Sequence, residues 1–135
     1  MPDQLVLTTR NTWKSVVDSA ALLERFAERA GIPARKNFIL GMAFEELLTN
    51  IIKYAYDDQE EHETQVTVDV SGEDVVLTVA DHGHEFNPWE VPEPERTENL
   101  MEKQIGGEGL HLVRKMSRSV SYQRKQGQNI VQVRI

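Results

Sequence analysis

The chain has 135 residues, a formal net charge of −7 and no cysteine. The lack of thiols excludes disulfides and thiolate metal sites, and it is typical of a reducing compartment, so we expect a cytoplasmic protein. The acidic balance argues against nucleic-acid binding, because the one basic cluster is small. That cluster consists of Arg114, Lys115, Arg118, Arg124 and Lys125. No stretch approaches the roughly 18 apolar residues of a membrane span, and we expect a single domain over residues 1–135.

The N-terminal part of the chain predicts one strand and two helices. Residues 5–9 (LVLTT) read as a short strand. Helical periodicity then runs to about Ala30, with Asn11 or Thr12 as the residue that caps its start. We expect Trp13 to cover the apolar face of this helix. A second periodic stretch over 33–56 predicts a longer helix.

The C-terminal part predicts two hairpins with a long loop and a helix between them. Residues 64–70 and 75–81 alternate as two strands of a hairpin. Residues 82–106 contain three prolines and many charges and show no periodicity, which is typical of a functional or disordered loop. A helix over 110–116 (LHLVRKM) and a hairpin over 119–135, with its turn at 126–129 (QGQN), complete the chain. The predicted fold class is α+β, a two-layer sandwich of a mainly antiparallel sheet covered on one face by helices.

The second helix carries polar groups beside an apolar stripe. At about 100° per residue, Glu46, Asn50 and Lys53 share one helix edge, and Glu45 points to solvent. The apolar stripe next to that edge consists of Leu40, Ala43, Phe44, Leu47, Ile51 and Tyr54. The polar edge is either a candidate site or an ordinary pair of side chains one turn apart.

The segment VADHGHEFNP places Asp81 at the end of an apolar strand. A carboxylate there can accept a hydrogen bond from an exocyclic amine, and Gly83 allows a flat ring close to the backbone. The alternative is a turn in which Asp and Gly have their usual roles. His82 and His84 flank the glycine, but without a third ligand nearby they are better interpreted as turn residues than as a metal site.

The segment IGGEGLHLV places Gly107 and Gly109 just before a helix. Exposed backbone N–H groups at a helix start favour anions, so this is either a phosphate cradle or a hinge. It is not a P-loop, since no Gly-Lys-Ser/Thr follows, and not a Rossmann fingerprint, since no strand immediately precedes it.

Taken together and in this order, the three motifs resemble the GHKL ATP-binding (Bergerat) fold. The segments EELLTNIIKYAY, DHGHEFNP and GGEGLHLVRKMSRSVSYQR resemble its RsbW/SpoIIAB-like branch of anti-sigma-factor serine/threonine kinases. The resemblance covers almost the whole chain. It implies a kinase in a partner switch that uses ATP and Mg²⁺, phosphorylates a STAS-domain anti-sigma factor antagonist, binds a sigma factor and forms a homodimer.

The resemblance also implies roles for individual residues. Glu46 is implied as the general base, Asn50 as the Mg²⁺ ligand and Asp81 as the acceptor for the adenine amine. Residues 84–106 are implied as the ATP lid, in which Trp89 is either an anchor for a partner or a cover for the site. The implied ATP-binding residues are Asn50, Lys53, Asp81, Gly83, Gly107, Gly109 and Leu110.

The chain departs from the family pattern in several places. Glu85 stands where many members have a second glycine, and Tyr54-Ala55 stands where the branch often has His-Gly. The lid is rich in glutamate, with Arg96 and Lys103 as its cations. Two alternatives stay open: an ATP-binding regulatory module with little or no phosphotransfer, and a detached histidine-kinase catalytic domain.

Overall fold

The computed structural model describes residues 3–90 and 108–135. The elements in chain order are β1 (Asp3–Arg10), α1 (Trp13–Arg29), α2 (Ala34–Tyr54), β2 (Glu63–Ser71), β3 (Asp74–Asp81), a 3-10 turn (Pro88–Glu90), α3 (Glu108–Met116), β4 (Ser119–Lys125) and β5 (Gln128–Arg134). The strands form one antiparallel sheet in the order β1-β2-β3-β5-β4. The predicted α+β fold class is confirmed, and each predicted helix and strand is present to within three residues at either end.

Local chemistry fixes where the elements begin and end. Thr12 caps α1, and its hydroxyl accepts a hydrogen bond from the Ser15 backbone N–H at 3.2 Å. After α1 the chain turns at Gly31, whose φ of 71° favours glycine. The last hairpin turns through Gln126 and Gly127, both with positive φ, as the right-handed twist of the two strands requires.

One face of the sheet carries the core. Burial alternates along β2, β3 and β5, and the register aligns the buried positions in rows across the sheet. Val66 pairs with Val79, which pairs with Val131. The buried stripe of α2 packs over these rows and consists of Ile39, Leu40, Ala43, Phe44, Leu47, Leu48 and Ile51. The sheet and helices therefore form two layers around one core.

Two aromatic residues differ from the sequence interpretation. The helical wheel puts Tyr54 on the apolar stripe of α2, but Tyr54 is 60% exposed, because it is the last helical residue and lies at the mouth of a cavity. Trp13, expected against the apolar face of α1, is 56% exposed at the first position of that helix.

The basic cluster noted in the sequence is largely occupied by internal contacts. Arg118 pairs with Asp74 at 2.9 Å. Arg114 donates to the carbonyl oxygen of Trp89, and Arg124 donates to that of Gly83. Three of the five cationic side chains are therefore paired within the domain. In the described ranges, every helix is too short or too polar to cross a membrane.

Truncating a fully buried α2 side chain should cost much more stability than the same change on the surface. Leu48 is 0% exposed, whereas Leu22 in α1 is 46% exposed. We expect Leu48→Ala to lower the free energy of unfolding by about 2–5 kcal/mol, through lost apolar burial and the cavity left behind. Leu22→Ala should lower it by less than about 1 kcal/mol. Urea unfolding of both variants checks this, and equal losses would contradict the core assignment.

Candidate functional site

A small cavity lies between the C-terminal half of α2 and the end of β3. Its wall combines apolar side chains with Asn50, Asp81, His84 and Asn129. The apolar lining residues are Leu47, Ile51, Tyr54, Ala55, Val79, Phe86, Pro88 and Val131. The structure therefore brings Asn50 and Asp81, predicted from separate motifs, to one cavity. Its volume is about 30 Å³, so a purine ring can occupy it only if part of the wall moves.

Asp81 is a buried carboxylate at this wall. It ends the inward-facing row of β3 and is 4% exposed. Its Oδ1 accepts hydrogen bonds from the Gly83 backbone N–H at 2.8 Å and from Asn129 Nδ2 at 3.0 Å. Within residues 3–90 and 108–135, Oδ2 accepts none. Two hydrogen-bond donors thus compensate the burial of this carboxylate, and Oδ2 can still accept a further hydrogen bond.

Asn129 is the residue that the sequence analysis missed. It pairs with Asp81 across β3 and β5 and is 3% exposed. Besides Asp81, its Nδ2 donates to the His84 carbonyl oxygen at 2.6 Å. Its Oδ1 accepts from the Tyr122 hydroxyl, from Arg124 and from the Phe86 backbone N–H. One side chain thus connects β3, β4 and the segment after β3.

A signal for Asn129 exists in the sequence. Asn129 shares the parity of Val131 and Val133, so it lies on the inward face of its strand. A polar residue in that row must find partners inside the protein. The sequence analysis assigned Asn129 to the hairpin turn (QGQN) and so did not consider its partners.

Gly83 is required by packing against the end of α2. A Cβ on Gly83 would lie 2.5 Å from the Ala55 carbonyl oxygen and 2.6 Å from the Ala55 Cβ. The same carbonyl accepts a hydrogen bond from the His84 N–H at 2.9 Å. His84 also pairs through Nε2 with Asp57 at 2.9 Å. The turn after β3 is therefore held against the C-terminal end of α2. A separate observation concerns metal ions: within the described ranges, no cluster of His, Asp or Glu could hold one.

Glu46 lies in the middle of α2, more than two turns before Ala55, against the start of α3. A Cβ on Gly109 would lie 2.7 Å from Glu46 Cγ, so these two predicted site residues pack closely. The pKa of Glu46 is raised, first by burial and then by the negative charge of Glu45, while Lys53 acts in the opposite direction. A carboxylate with a raised pKa is better suited to accept a proton than an ordinary surface glutamate.

The remaining predicted residues are distributed as follows. Lys53 is exposed on the α2 surface, and Leu110 is buried in the core cluster. Gly107 and residues 91–106, with the lid cations Arg96 and Lys103, lie outside the described residues.

The described start of the predicted lid is packed onto the domain. Pro88 and Trp89 are buried, and Trp89 Nε1 donates to the Ser121 carbonyl oxygen at 3.0 Å. Asn87 Oδ1 accepts from the Trp89 N–H and so caps the 3-10 turn. Trp89 therefore anchors this segment to β4, and its burial is at odds with a role as an anchor for a partner.

Comparison of the sequence with models of known protein families identifies the family of this chain. A sequence model of the histidine kinase-like ATPase domain matches residues 10–135. The chain belongs to this family. The resemblance inferred from the three motifs is thereby confirmed.

One relative is similar in sequence, and one solved structure is similar in fold. The serine/threonine-protein kinase BtrW of Bordetella bronchiseptica is 32% identical over 127 residues, which are 94% of this chain and 88% of that protein. The crystal structure of the RsbU and RsbW domains of Rv1364c from Mycobacterium tuberculosis superposes with a TM-score of 0.68 at 15% identity. That match covers 98% of this chain and 32% of the other, so this chain spans about a third of that structure's length.

Adding a methyl group at Gly83 should destabilise the protein, because it collides with backbone atoms of Ala55 that cannot swing away. We expect Gly83→Ala to lower the free energy of unfolding by about 1–3 kcal/mol. Gly41 is the matched control, since it lies in α2 and an added Cβ there would have no neighbouring atom within 4 Å. Gly41→Ala should raise stability by about 0.5–1 kcal/mol. Denaturant unfolding compares the two, and a neutral Gly83→Ala would contradict the close approach.

Proposed function

We propose that the protein binds ATP with Mg²⁺ and transfers the γ-phosphate to a serine or threonine of a protein partner. One observation carries the proposal: a buried carboxylate, Asp81, and the amide of Asn50 line the same cavity in a member of the histidine kinase-like ATPase domain family. The relative that is 32% identical is named a serine/threonine-protein kinase, which supports phosphotransfer to a hydroxyl group.

The adenine end would lie at Asp81. Its Oδ2 can accept the hydrogen bond of an exocyclic amine, and the surrounding wall of Ile51, Val79 and Val131 is apolar, as a flat ring requires. Tyr54 and Phe86 are the exposed large hydrophobic residues of that wall. They are the side chains that can move aside to enlarge the cavity.

The phosphate end would lie along the edge of α2 that carries Asn50 and Lys53. The residues present fit Mg²⁺: this ion is usually held by one or two protein oxygens together with substrate phosphates, and the described part of the chain offers no all-protein cage. Asn50 would provide the protein oxygen. When bound, the ion neutralises charge on the transferring phosphoryl group. Lys53 would contact phosphate oxygens as a cation, and Gly107 and Gly109 would offer backbone N–H groups at the start of α3.

Glu46 would act as the general base. It lies one turn before Asn50 on the same helix, so it can face the γ-phosphate while Asn50 holds the metal. The carboxylate would accept the proton of the incoming hydroxyl group, directly or through water. Its contact with Gly109 places it beside the segment proposed to wrap the phosphates.

The biological partners follow from the resemblance to the RsbW-like branch. A STAS-domain antagonist would be the phosphorylated protein, and a sigma factor would be held inactive by a homodimer of this chain. Any lid movement on nucleotide binding would begin after Glu90, because Pro88 and Trp89 are fixed to the domain.

The nucleotide assignment predicts two separable defects. Asp81→Asn replaces a pure acceptor by an amide that also donates, so ATP affinity should fall about tenfold or more. Asn50→Ala removes the protein oxygen for the metal, so the Mg²⁺ dependence of binding should weaken instead. Calorimetry with ATP at several Mg²⁺ concentrations checks both. If both variants keep wild-type affinity and metal dependence, the site lies elsewhere.

The catalytic assignment predicts that Glu46→Gln loses transfer but not binding. The amide is nearly isosteric and cannot accept the hydroxyl proton, so transfer to a STAS protein should fall by about 100-fold or more while ATP affinity stays within a few-fold. Glu45→Gln, the exposed neighbour, should retain both activities at neutral pH.

Radiolabelled phosphate transfer and nucleotide binding measure the two quantities, and acid stability of the product distinguishes phosphoserine from phosphohistidine. Wild-type transfer by Glu46→Gln would exclude the general-base role, and ATP binding without any transfer by the wild type would favour the binding module.

The pH dependence supplies a second readout for Glu46. The base works when ionised, so a raised pKa should place the acid limb of transfer above the usual range of glutamate. Glu45→Gln removes a charge that raises this pKa, so the limb should shift to lower pH. The raised pKa also means that Glu46 favours folding at low pH and loses this contribution as pH rises through its folded-state pKa. Glu46→Gln should therefore melt slightly higher than wild type at neutral pH, with the gain disappearing in acid.

A further inference from the structure

We propose that Asn129 is a positioning residue that makes Asp81 selective for a 6-amino purine. The inference rests on the proposed binding of ATP at Asp81 and adds the element that sets its specificity. Asn129 lies on β5, directly paired with Asp81 on β3, and is almost fully buried.

Asn129 fixes the plane of the Asp81 carboxylate and therefore the position in which its second oxygen can meet a ligand. Both donors that reach this carboxylate from the described residues, Gly83 N–H and Asn129 Nδ2, end on Oδ1. Two donors on one oxygen hold the plane of the carboxylate, because any rotation short of exchanging its two equivalent oxygens would stretch or break both bonds. Oδ2 is therefore held as the acceptor at the cavity wall. Without Asn129, only the Gly83 N–H would define that orientation.

The amide of Asn129 is itself held in one orientation. Its Oδ1 accepts from the Tyr122 hydroxyl at 2.6 Å, from Arg124 at 3.1 Å and from the Phe86 N–H at 3.2 Å. Its Nδ2 faces two acceptors, Asp81 Oδ1 and the His84 carbonyl oxygen. A flipped amide would place oxygen against oxygen on one side and donors against donors on the other. The Nδ2 donor therefore always faces Asp81.

The side chain of Asn129 also holds part of the cavity wall. His84 and Phe86 line the cavity, and both are tied through their backbone to Asn129. Asn129 thus connects the acceptor that recognises the amine with the wall that contacts the ring. A purine with a 6-amino group satisfies Oδ2, whereas a purine without it leaves that buried oxygen unpaired.

The test measures the ratio of affinities for ATP and for purine riboside triphosphate, which lacks only the 6-amino group. We expect the wild type to prefer ATP by about tenfold or more. Asn129→Asp keeps the shape and every acceptor but removes both donors, so the preference should fall to within about twofold. Asn11→Asp is the matched control: it is the same chemical change away from the cavity, it keeps the oxygen that accepts from the His62 N–H, and it should retain the preference.

A pH series separates positioning from general damage. Protonation of the carboxylate introduced by Asn129→Asp would again present a donor to Asp81, so the ATP preference should recover as the pH is lowered. The charged or titratable groups that face this position are Asp81 on β3, Tyr122 and Arg124 on β4, and His84 in the segment after β3. The wild type carries the same groups, so its own pH profile corrects for them. Acid also relieves the repulsion between the two carboxylates, so the melting temperature of the variant is followed in the same series. A preference that recovers while the folded fraction stays constant supports positioning, and a preference that only follows the folded fraction overturns it.

The outcomes distinguish this inference from the proposed function. If the wild type shows no preference and Asp81→Asn binds ATP normally, the adenine assignment of Asp81 fails, and the inference fails with it. If the wild type prefers ATP, Asp81→Asn loses the preference and Asn129→Asp keeps it at all pH values, only the role of Asn129 is overturned. Asn129→Ser, which is smaller and cannot reach Asp81 as the amide does, replaces Asn129→Asp if that variant melts too low to assay, and an unchanged preference there overturns the role equally.

Discussion

The need to match one buried carboxylate organises this end of the domain. Asp81 ends the inward-facing row of β3, where the other members are valine and leucine, and a carboxylate there is costly unless donors reach it. The donors come from the turn that follows β3 and from the paired position on β5. The course of the chain after β3 and the pairing of β3 with β5 are thus tied to the same oxygen atom.

Two glycines then set the position of the long helix α2. Gly83 allows the turn after β3 to pack on Ala55 at the end of α2, and Gly109 allows α3 to pack on Glu46 in its middle. The departure from the family's His-Gly pair matters at this point, since the methyl group of Ala55 fills space that only a glycine at position 83 can leave open. Asn50 lies between these two contacts. Contacts on either side of Asn50 along α2 therefore fix how far this residue lies from the sheet.

Periodicity predicted nearly all of the regular structure, because strands and helices bury one face and each leaves a local pattern. Thr12 as a cap and the turn at Gln126-Gly127 are equally local signals. Tyr54 was misplaced because a helical wheel shows direction and not where the covering sheet ends. Asn129 was missed because its five partners come from three other segments, and their convergence depends on the strand register and on the path of the chain after β3. The small volume of the cavity likewise depends on packing that no single segment encodes.

The two carboxylates predicted for the site differ in their surroundings in a way that suits different tasks. Asp81 is buried and receives two hydrogen bonds on one oxygen, which is an arrangement for holding a fixed acceptor in place. Glu46 is only partly buried, and its pKa is raised by that burial and by Glu45. A carboxylate with a raised pKa, such as Glu46, is suited to accepting a proton. A carboxylate held in one orientation by two donors, such as Asp81, is suited to recognising a further hydrogen-bond donor. If the proposed roles hold, selection of adenine and transfer of the phosphate depend on side chains fixed by different contacts, and we expect that each can be altered separately.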